Sequence, residues 1–342
     1  MILVLVIGQT VSGSQRWLVI GSITFQPSEI SKLILIITIA NLISKKNIFK
    51  IKDLLSIFIH VAIPMFLIFK QPDLGTSLVF IFITIGMLLV SSLNILIILA
   101  FLSPILSVIL YIMNFHLWLI YIITLICLVI YEYYLNYKKY SINKKIFFIK
   151  KIPFKSIIIF CINTLIGMFI PIIWGLLKDY QKNRLLIFLN PEKDPLGAGY
   201  HVIQSQIAIG SGGIWGKGFL HGTQTQLDFI PVQHTDFIFS VIGEEFGIIG
   251  GISLLILYTI IIWRGLYIAM KAPDEFGKLI ATGITSMLVF HIFVNIGMVV
   301  GLMPVTGIPL PFISYGGTYL LINLILIGLL ENISMKRLDT IF

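Results

Sequence analysis

Nine long apolar runs constrain this chain more than any other feature. They cover residues 27–44, 54–69, 75–92, 94–112, 114–135, 156–178, 237–263, 279–302 and 318–335. Crossing about 30 Å of hydrocarbon takes roughly 20 predominantly apolar residues in a helix. Lipid offers backbone amides and carbonyls no hydrogen-bonding partner, so such a run must pair them internally. Residues 2–11 are apolar but too short to cross, and they read as the end of a truncated span, which brings the segments to ten. The expected fold is an all-α membrane protein, a polytopic transmembrane helix bundle. Composition agrees: 58% of the 342 residues are hydrophobic and 11% charged, with a mean hydropathy of +1.01. A soluble domain carries about 25% charged residues, and no single water-soluble core could bury this much apolar surface.

The net charge of +9 raises nucleic acid as a partner, but its distribution excludes that reading. Loops 45–53, 136–155 and 264–278, with the tail from Lys336, hold 16 of the 24 lysines and arginines. Alternating the spans puts all four on one side, and positive loops mark the cytoplasm. Regions 12–26, 70–74, 179–236 and 303–317 then fall outside. Region 179–236 is about 58 residues long, well beyond an ordinary connection. Its aromatic, histidine and glycine residues mark it as folded and functional. The start lacks a basic segment and a small-residue cleavage site, so no signal peptide is expected. Cys127 and Cys161 lie inside apolar runs and read as packing residues without a disulfide.

Four polar clusters land on the outer side. The first joins Gly13-Ser14-Gln15-Arg16-Trp17 to Phe25-Gln26-Pro27-Ser28-Glu29 and Lys32. Pro27 suits a first helical turn, Ser28 or Glu29 could cap it, and Glu29 and Lys32 share a helix face. Capping with an ion pair at the water boundary explains this cluster locally, and Arg16-Trp17 reads as an interfacial anchor. In the second, Lys70 to Ser77, Asp73 reads as the N-cap of the next span. The third, residues 304–317, has three prolines and three glycines and cannot be helical; it is a cavity-lining re-entrant loop or a plain turn. The fourth runs through region 179–236 into the next span. Its glycines at 210–218 lack phosphate-loop spacing and read as points of close backbone approach. Asp236, between Thr235 and an apolar helix, reads equally as an N-cap or as a carboxylate partly removed from water, which strengthens a base. Glu244 and Glu245 lie inside the same span, where ionisable groups are costly and usually functional. The histidines at 201, 221 and 234 have no metal-ligand spacing, so no protein-bound metal site is expected.

The texts GSQRWL, FQPSE, QPDLGTS, NPEKDPLGAGYHVIQS, IAIGSGG, HGTQTQLDF, HTDFIF and PLPFISYGG resemble the SEDS family (shape, elongation, division and sporulation), and its RodA branch more than FtsW. The resemblance covers nearly the whole chain apart from about 93–155, which reads as an inserted helix pair with a basic loop inside one membrane domain spanning 1–342. It also implies two spans ahead of residue 1. Its implied activity is peptidoglycan glycosyltransfer, polymerising lipid II outside the cytoplasmic membrane during rod-shape elongation, beside a class B penicillin-binding protein. By that resemblance the essential aspartate is Asp236, and Arg16, Trp17, Glu29 and Lys32 line its cavity. Arg184, His234 and Thr235 are further candidates for substrate binding. The chemistry expected is a single inverting displacement, with Asp236 as base and Arg16, Lys32 and Arg184 on the departing diphosphate. A divalent cation, Mg or Mn, held by Asp236 or Glu29, could share the diphosphate, though nothing in the spacing demands it. Two rivals are a lipid II flippase using Glu244 and Glu245, and a membrane scaffold.

Overall fold

A computed structural model describes residues 1–11, 14–20, 23–45, 51–71, 73–91, 95–140, 153–176, 182, 198–227, 229 and 233–339. In chain order the elements begin with helix α1 (Ile2–Ile7) and strands β1 (Gln9–Val11), β2 (Ser14–Ile20) and β3 (Ile23–Phe25). Helices α2 (Pro27–Ser44), α3 (Ile51–Lys70), α4 (Leu74–Val90), α5 (Ile95–Met113), α6 (Phe115–Tyr140) and α7 (Phe154–Leu176) follow. The chain ends with α8 (Ala198–Gly212), α9 (Thr223–Gln226), α10 (Ile238–Lys271), α11 (Glu275–Val299) and α12 (Gly317–Asp339). Every expected span is helical. Helices α2, α6, α10, α11 and α12 are long and apolar enough to cross a bilayer, while α3, α4, α5 and α7 contain shorter apolar helices. The protein is a multi-pass α-helical membrane protein. The short segment at the start is a turn and a half of helix followed by a strand rather than a continuous apolar helix.

Residues 12–26 read as a loop from sequence. In the structure Ser14–Ile20 and Ile23–Phe25 within it join Gln9–Val11 in a small antiparallel ribbon, β1-β2-β3, with Gln9 opposite Trp17 and Leu18 opposite Phe25. The run Trp17-Leu-Val-Ile favours a strand through its β-branched and aromatic content. The ribbon matters because β2 carries Arg16 and Trp17.

The chain divides into two compact units. The first comprises Met1–Ser92 and Asn183–Phe342. At its centre stands α11, which touches α2, α4, α8, α10 and α12 and buries Leu279, Ala281, Ile284, Met287 and Met298 completely or almost so. Small residues permit that crowding, as membrane helices without a hydrophobic driving force between them require. A Cβ on Gly283 would sit 2.9 Å from Ile36 and from the Met87 sulfur, and one on Gly86 would overlap Ser286.

The second unit, Leu93–Lys182, packs α5, α6 and α7 pairwise. Its interior is polar at one level. Asn163 Nδ2 donates to Ser103 Oγ at 2.9 Å, Trp118 Nε1 donates to Ser107 Oγ at 2.9 Å, and Tyr121 OH donates to Asn163 Oδ1 at 3.4 Å. Gly167 admits the Trp118 indole against the α7 backbone. The helix pair expected within 93–155 lies in this unit together with α7.

Candidate active site

Helix α2 starts at Pro27 and has no side-chain cap at Gln26, so neither Ser28 nor Glu29 takes the capping role. Glu29 pairs instead with Lys32 one turn on, whose Nζ lies 2.8 Å from each carboxylate oxygen. From sequence this pair belonged at the water boundary. It is buried, with Glu29 3% and Lys32 1% exposed, because α11 and α12 cover it. His291 Nε2 of α11 is 3.2 Å from the same ammonium, and the Tyr319 ring of α12 lies 5.7 Å from it.

Asp73 does cap α4: its Oδ1 accepts the Thr76 N–H at 3.1 Å. Its other oxygen meets Arg16 Nη1 at 3.5 Å, while Arg16 Nε donates to the Gln71 carbonyl at 3.2 Å. Two neighbouring bends, the β2 strand and the cap of α4, therefore bring a guanidinium beside the first helical turn of α4.

Asp236 is not the cap of α10. That position belongs to Phe237, which makes no side-chain cap bond. The carbonyl of Asp236 accepts from Asn295 Nδ2 at 2.9 Å, and the same nitrogen donates to the Ile308 carbonyl at 2.8 Å. One α11 side chain thus ties the Asp236 turn to the proline-rich segment 304–316. That segment is irregular, and its backbone groups are paired by protein as membrane depth demands. Ser314 Oγ accepts from Leu310 N at 2.7 Å and donates to the Thr235 carbonyl at 2.5 Å. Tyr315 N donates to the His234 carbonyl at 2.9 Å. Tyr258 and Tyr319 donate to the Pro311 and Pro309 carbonyls at 2.7 and 2.9 Å. Gly307, at φ 72°, faces Asp236: a Cβ there would lie 3.3 Å from Asp236 Oδ2.

These turns enclose a cavity of about 220 Å³. Arg16, Trp17, Glu29, Lys32, Thr235 and Asp236 all line it, although they come from two distant stretches of sequence, 16–32 and 235–236. The 304–316 segment lines it too, through Gly307, Ile308, Pro309, Tyr315 and Gly316. His234 has an exposed side chain and does not line the cavity. Arg184 lies outside the described residues. Sequence reasoning missed His291 and Tyr319 on the wall and Asn295 behind it. The available signal was a His and an Asn one turn apart in the apolar run 279–302, since intramembrane polar groups face the bundle interior.

Glu244 has a different role from the one its intramembrane position implied. It is fully buried, and its two oxygens accept five hydrogen bonds from the loop before it. Oε1 takes Lys217 Nζ at 2.7 Å, Gln224 N at 2.9 Å and Thr223 Oγ1 at 3.2 Å; Oε2 takes Thr225 Oγ1 at 2.9 Å and Thr225 N at 3.1 Å. It caps α9 from a distance, because the N-cap residue Gly222 has no side chain to do so. The glycine run packs against the same helix. At Gly247 (φ 64°, ψ −161°) α10 breaks, and Lys217 N and Gly218 N donate to the freed carbonyls of Glu244 and Glu245 at 3.0 Å. Gly216 lets the two backbones meet, since a Cβ there would overlap the Glu245 carbonyl.

The family model for the FtsW, RodA and SpoVE cell cycle proteins matches residues 1–146 and 117–338. The chain belongs to this family. The peptidoglycan glycosyltransferase MrdB of Escherichia coli K12 is 37% identical over 332 residues, spanning 96% of this chain and 73% of the relative. The peptidoglycan glycosyltransferase RodA of Treponema pallidum is 36% identical over 357 residues, spanning 97% and 79%. Among solved structures, a peptidoglycan synthase complex described as coordinating polymerization and crosslinking matches with a TM-score of 0.66 and 27% identity, over 98% of this chain and 77% of that one. The helices of this chain thus follow the same arrangement as that solved chain.

Proposed function

We propose that this FtsW/RodA/SpoVE family member is a peptidoglycan glycosyltransferase that polymerises lipid II into glycan strands, with Asp236 as its general base. One observation carries the reading: the Asp236 carboxylate lines one cavity with a guanidinium and a buried ammonium, beside Asp73 and Glu29, the carboxylates that hold those two cations. The relatives' activity supports it, since MrdB and RodA are named peptidoglycan glycosyltransferases. The reaction joins a sugar hydroxyl to the anomeric carbon of a lipid-diphosphate-linked donor. The hydroxyl proton passes to Asp236, the new glycosidic bond forms with inversion, and the anomeric carbon–oxygen bond breaks to release the lipid diphosphate. Arg16 and Lys32 stabilise the charge that develops on that leaving group. Arg16 is the readier hand, because its contact with Asp73 is long at 3.5 Å and its side chain is 22% exposed. Trp17 and Thr235 line the space a sugar would occupy, and Arg184 is a further candidate for the diphosphate.

A divalent cation would have to be held mainly by the substrate's own phosphates, as Mg commonly is. Among the described residues no group of three His, Cys, Asp or Glu could hold a metal; Glu29 is engaged by Lys32 and Asp73 by its cap. No step here runs through such an ion. The cavity faces the outer side of the cytoplasmic membrane, as the basic loops orient the chain, and the working partner is a class B penicillin-binding protein that cross-links the strands within the rod-shape elongation machinery. Flipping of lipid II through Glu244 is disfavoured, because its carboxylate is saturated by loop donors. The test is polymer formation from purified lipid II. Asp236→Asn should abolish polymer while the folded yield stays at wild-type level; wild-type polymer from that variant would remove Asp236 as the base.

A further inference from the structure

His291 is 1% exposed on α11, and its two nitrogens have unlike partners. Nδ1 lies 2.8 Å from the Met287 carbonyl one turn earlier. A carbonyl oxygen accepts and cannot donate, so Nδ1 carries the proton and Nε2 offers a lone pair. That lone pair faces the Lys32 ammonium at 3.2 Å. An imidazole protonated on both nitrogens would point an N–H at a cation, so this geometry requires the neutral form. Lys32 ends in a freely rotating group of three donors on a flexible stem. Glu29, on the same helix, would by itself hold that group against α2. The second anchor on α11 draws it across to the opposite wall, where the His291 and Tyr319 rings lie 5.8 Å apart. The choice of side chain also matters. A carboxylate at position 291 would set a second negative charge beside an ammonium that Glu29 already pairs, and an apolar group would leave it to Glu29 alone. A neutral acceptor fixes the ammonium without adding a second negative charge to the one Glu29 already supplies.

We propose that His291 is a positioning residue which, as a neutral hydrogen-bond acceptor, fixes the Lys32 ammonium in the cavity for the diphosphate of a lipid-linked glycosyl donor. This rests on the functional reading above, and the test separates the two. Full-length chain in nanodiscs is titrated with undecaprenyl diphosphate and assayed for polymer from lipid II, as wild type, His291→Phe, His291→Gln, Lys32→Met and the His291→Phe/Lys32→Met double variant. Loss of one hydrogen bond to a charged group predicts about 10- to 100-fold weaker diphosphate binding for His291→Phe. His291→Gln, whose amide oxygen can accept, recovers most of that loss. In the Lys32→Met background His291→Phe has no further effect, the non-additivity that marks action through Lys32. The proposal is overturned if the wild type does not bind the diphosphate, if His291→Phe binds as the wild type does, if His291→Gln is no better than His291→Phe, or if the His291→Phe loss persists without Lys32. A wild type that binds the diphosphate but makes no polymer refutes the polymerase reading, while the binding series still decides the role of His291.

Discussion

Replacing Glu244 by alanine tests the account of the loop that precedes the Asp236 turn. Five donors from residues 217–225 converge on this carboxylate at 2.7–3.2 Å, one of them the ammonium of Lys217. Removing one partner of a buried ion pair costs about 3–5 kcal/mol, because the remaining charge and polar groups are left without compensation. Part of that loss is relieved here, since Lys217 is 27% exposed and can turn to water, which sets the expectation at the lower end, about 3 kcal/mol. Glu244→Gln separates charge from shape. Its single oxygen can still serve Lys217, Thr223 and Gln224, while its amide nitrogen would face the Thr225 N–H, a clash of donors costing about 1–3 kcal/mol. Detergent-solubilised variants followed by thermal unfolding should rank wild type, then glutamine, then alanine. Trypsin should cut after Lys217 in the alanine variant well before it does so in the wild type, because the loop loses its anchor while α10 persists. An alanine variant within about 1 kcal/mol of wild type, with Lys217 equally protected, would refute the anchoring role.

Gly307→Ala should cost about 1–2 kcal/mol for a side chain at φ 72°, and should lower polymerisation further by crowding Asp236, 3.3 Å from the added carbon. Gly317→Ala, whose added carbon meets nothing within 4 Å, is the control; equal activity in the two variants would remove Gly307 from the account. In the second unit, Asn163→Leu removes the bonds to Ser103 and from Tyr121. About 1–2 kcal/mol should be lost, read as a lower detergent-unfolding midpoint; an unchanged midpoint would mean that apolar packing alone holds α5, α6 and α7 together.

The helices were legible because lipid imposes one rule on every crossing segment, and each of the nine apolar runs obeys it. The strands β1–β3 were not. They are three to seven residues long, too short to show an alternating pattern, and they exist through pairing with one another. The break in α10 was also hidden, since the apolar run resumes directly after Glu244 and Glu245 and a glycine within it is tolerated in a membrane helix. What sets Gly247 apart is its neighbour in space, the 213–218 turn, whose amides and carbonyls complete the interrupted ladder.

The site divides along the same line. Each polar cluster marked a place where helix stops, and stopping signals are local: a proline, a cap, a run of glycines. Their convergence on one cavity needed the fold or the family resemblance, because Arg16, Lys32 and Asp236 are joined by no local periodicity. The roles of single residues were harder still. Asp73 and Asp236 both stand just before an apolar helix, so both read as caps, yet Asp73 caps α4 while the cap position of α10 is Phe237. Asn295 holds the Asp236 carbonyl and the Ile308 carbonyl together, and so ties the Asp236 turn to the proline-rich segment. His291 is the extreme case, since its partner Lys32 lies 259 residues away. A solitary histidine in an apolar run says that some buried group needs it, and only the crossing of α2 with α11 says which.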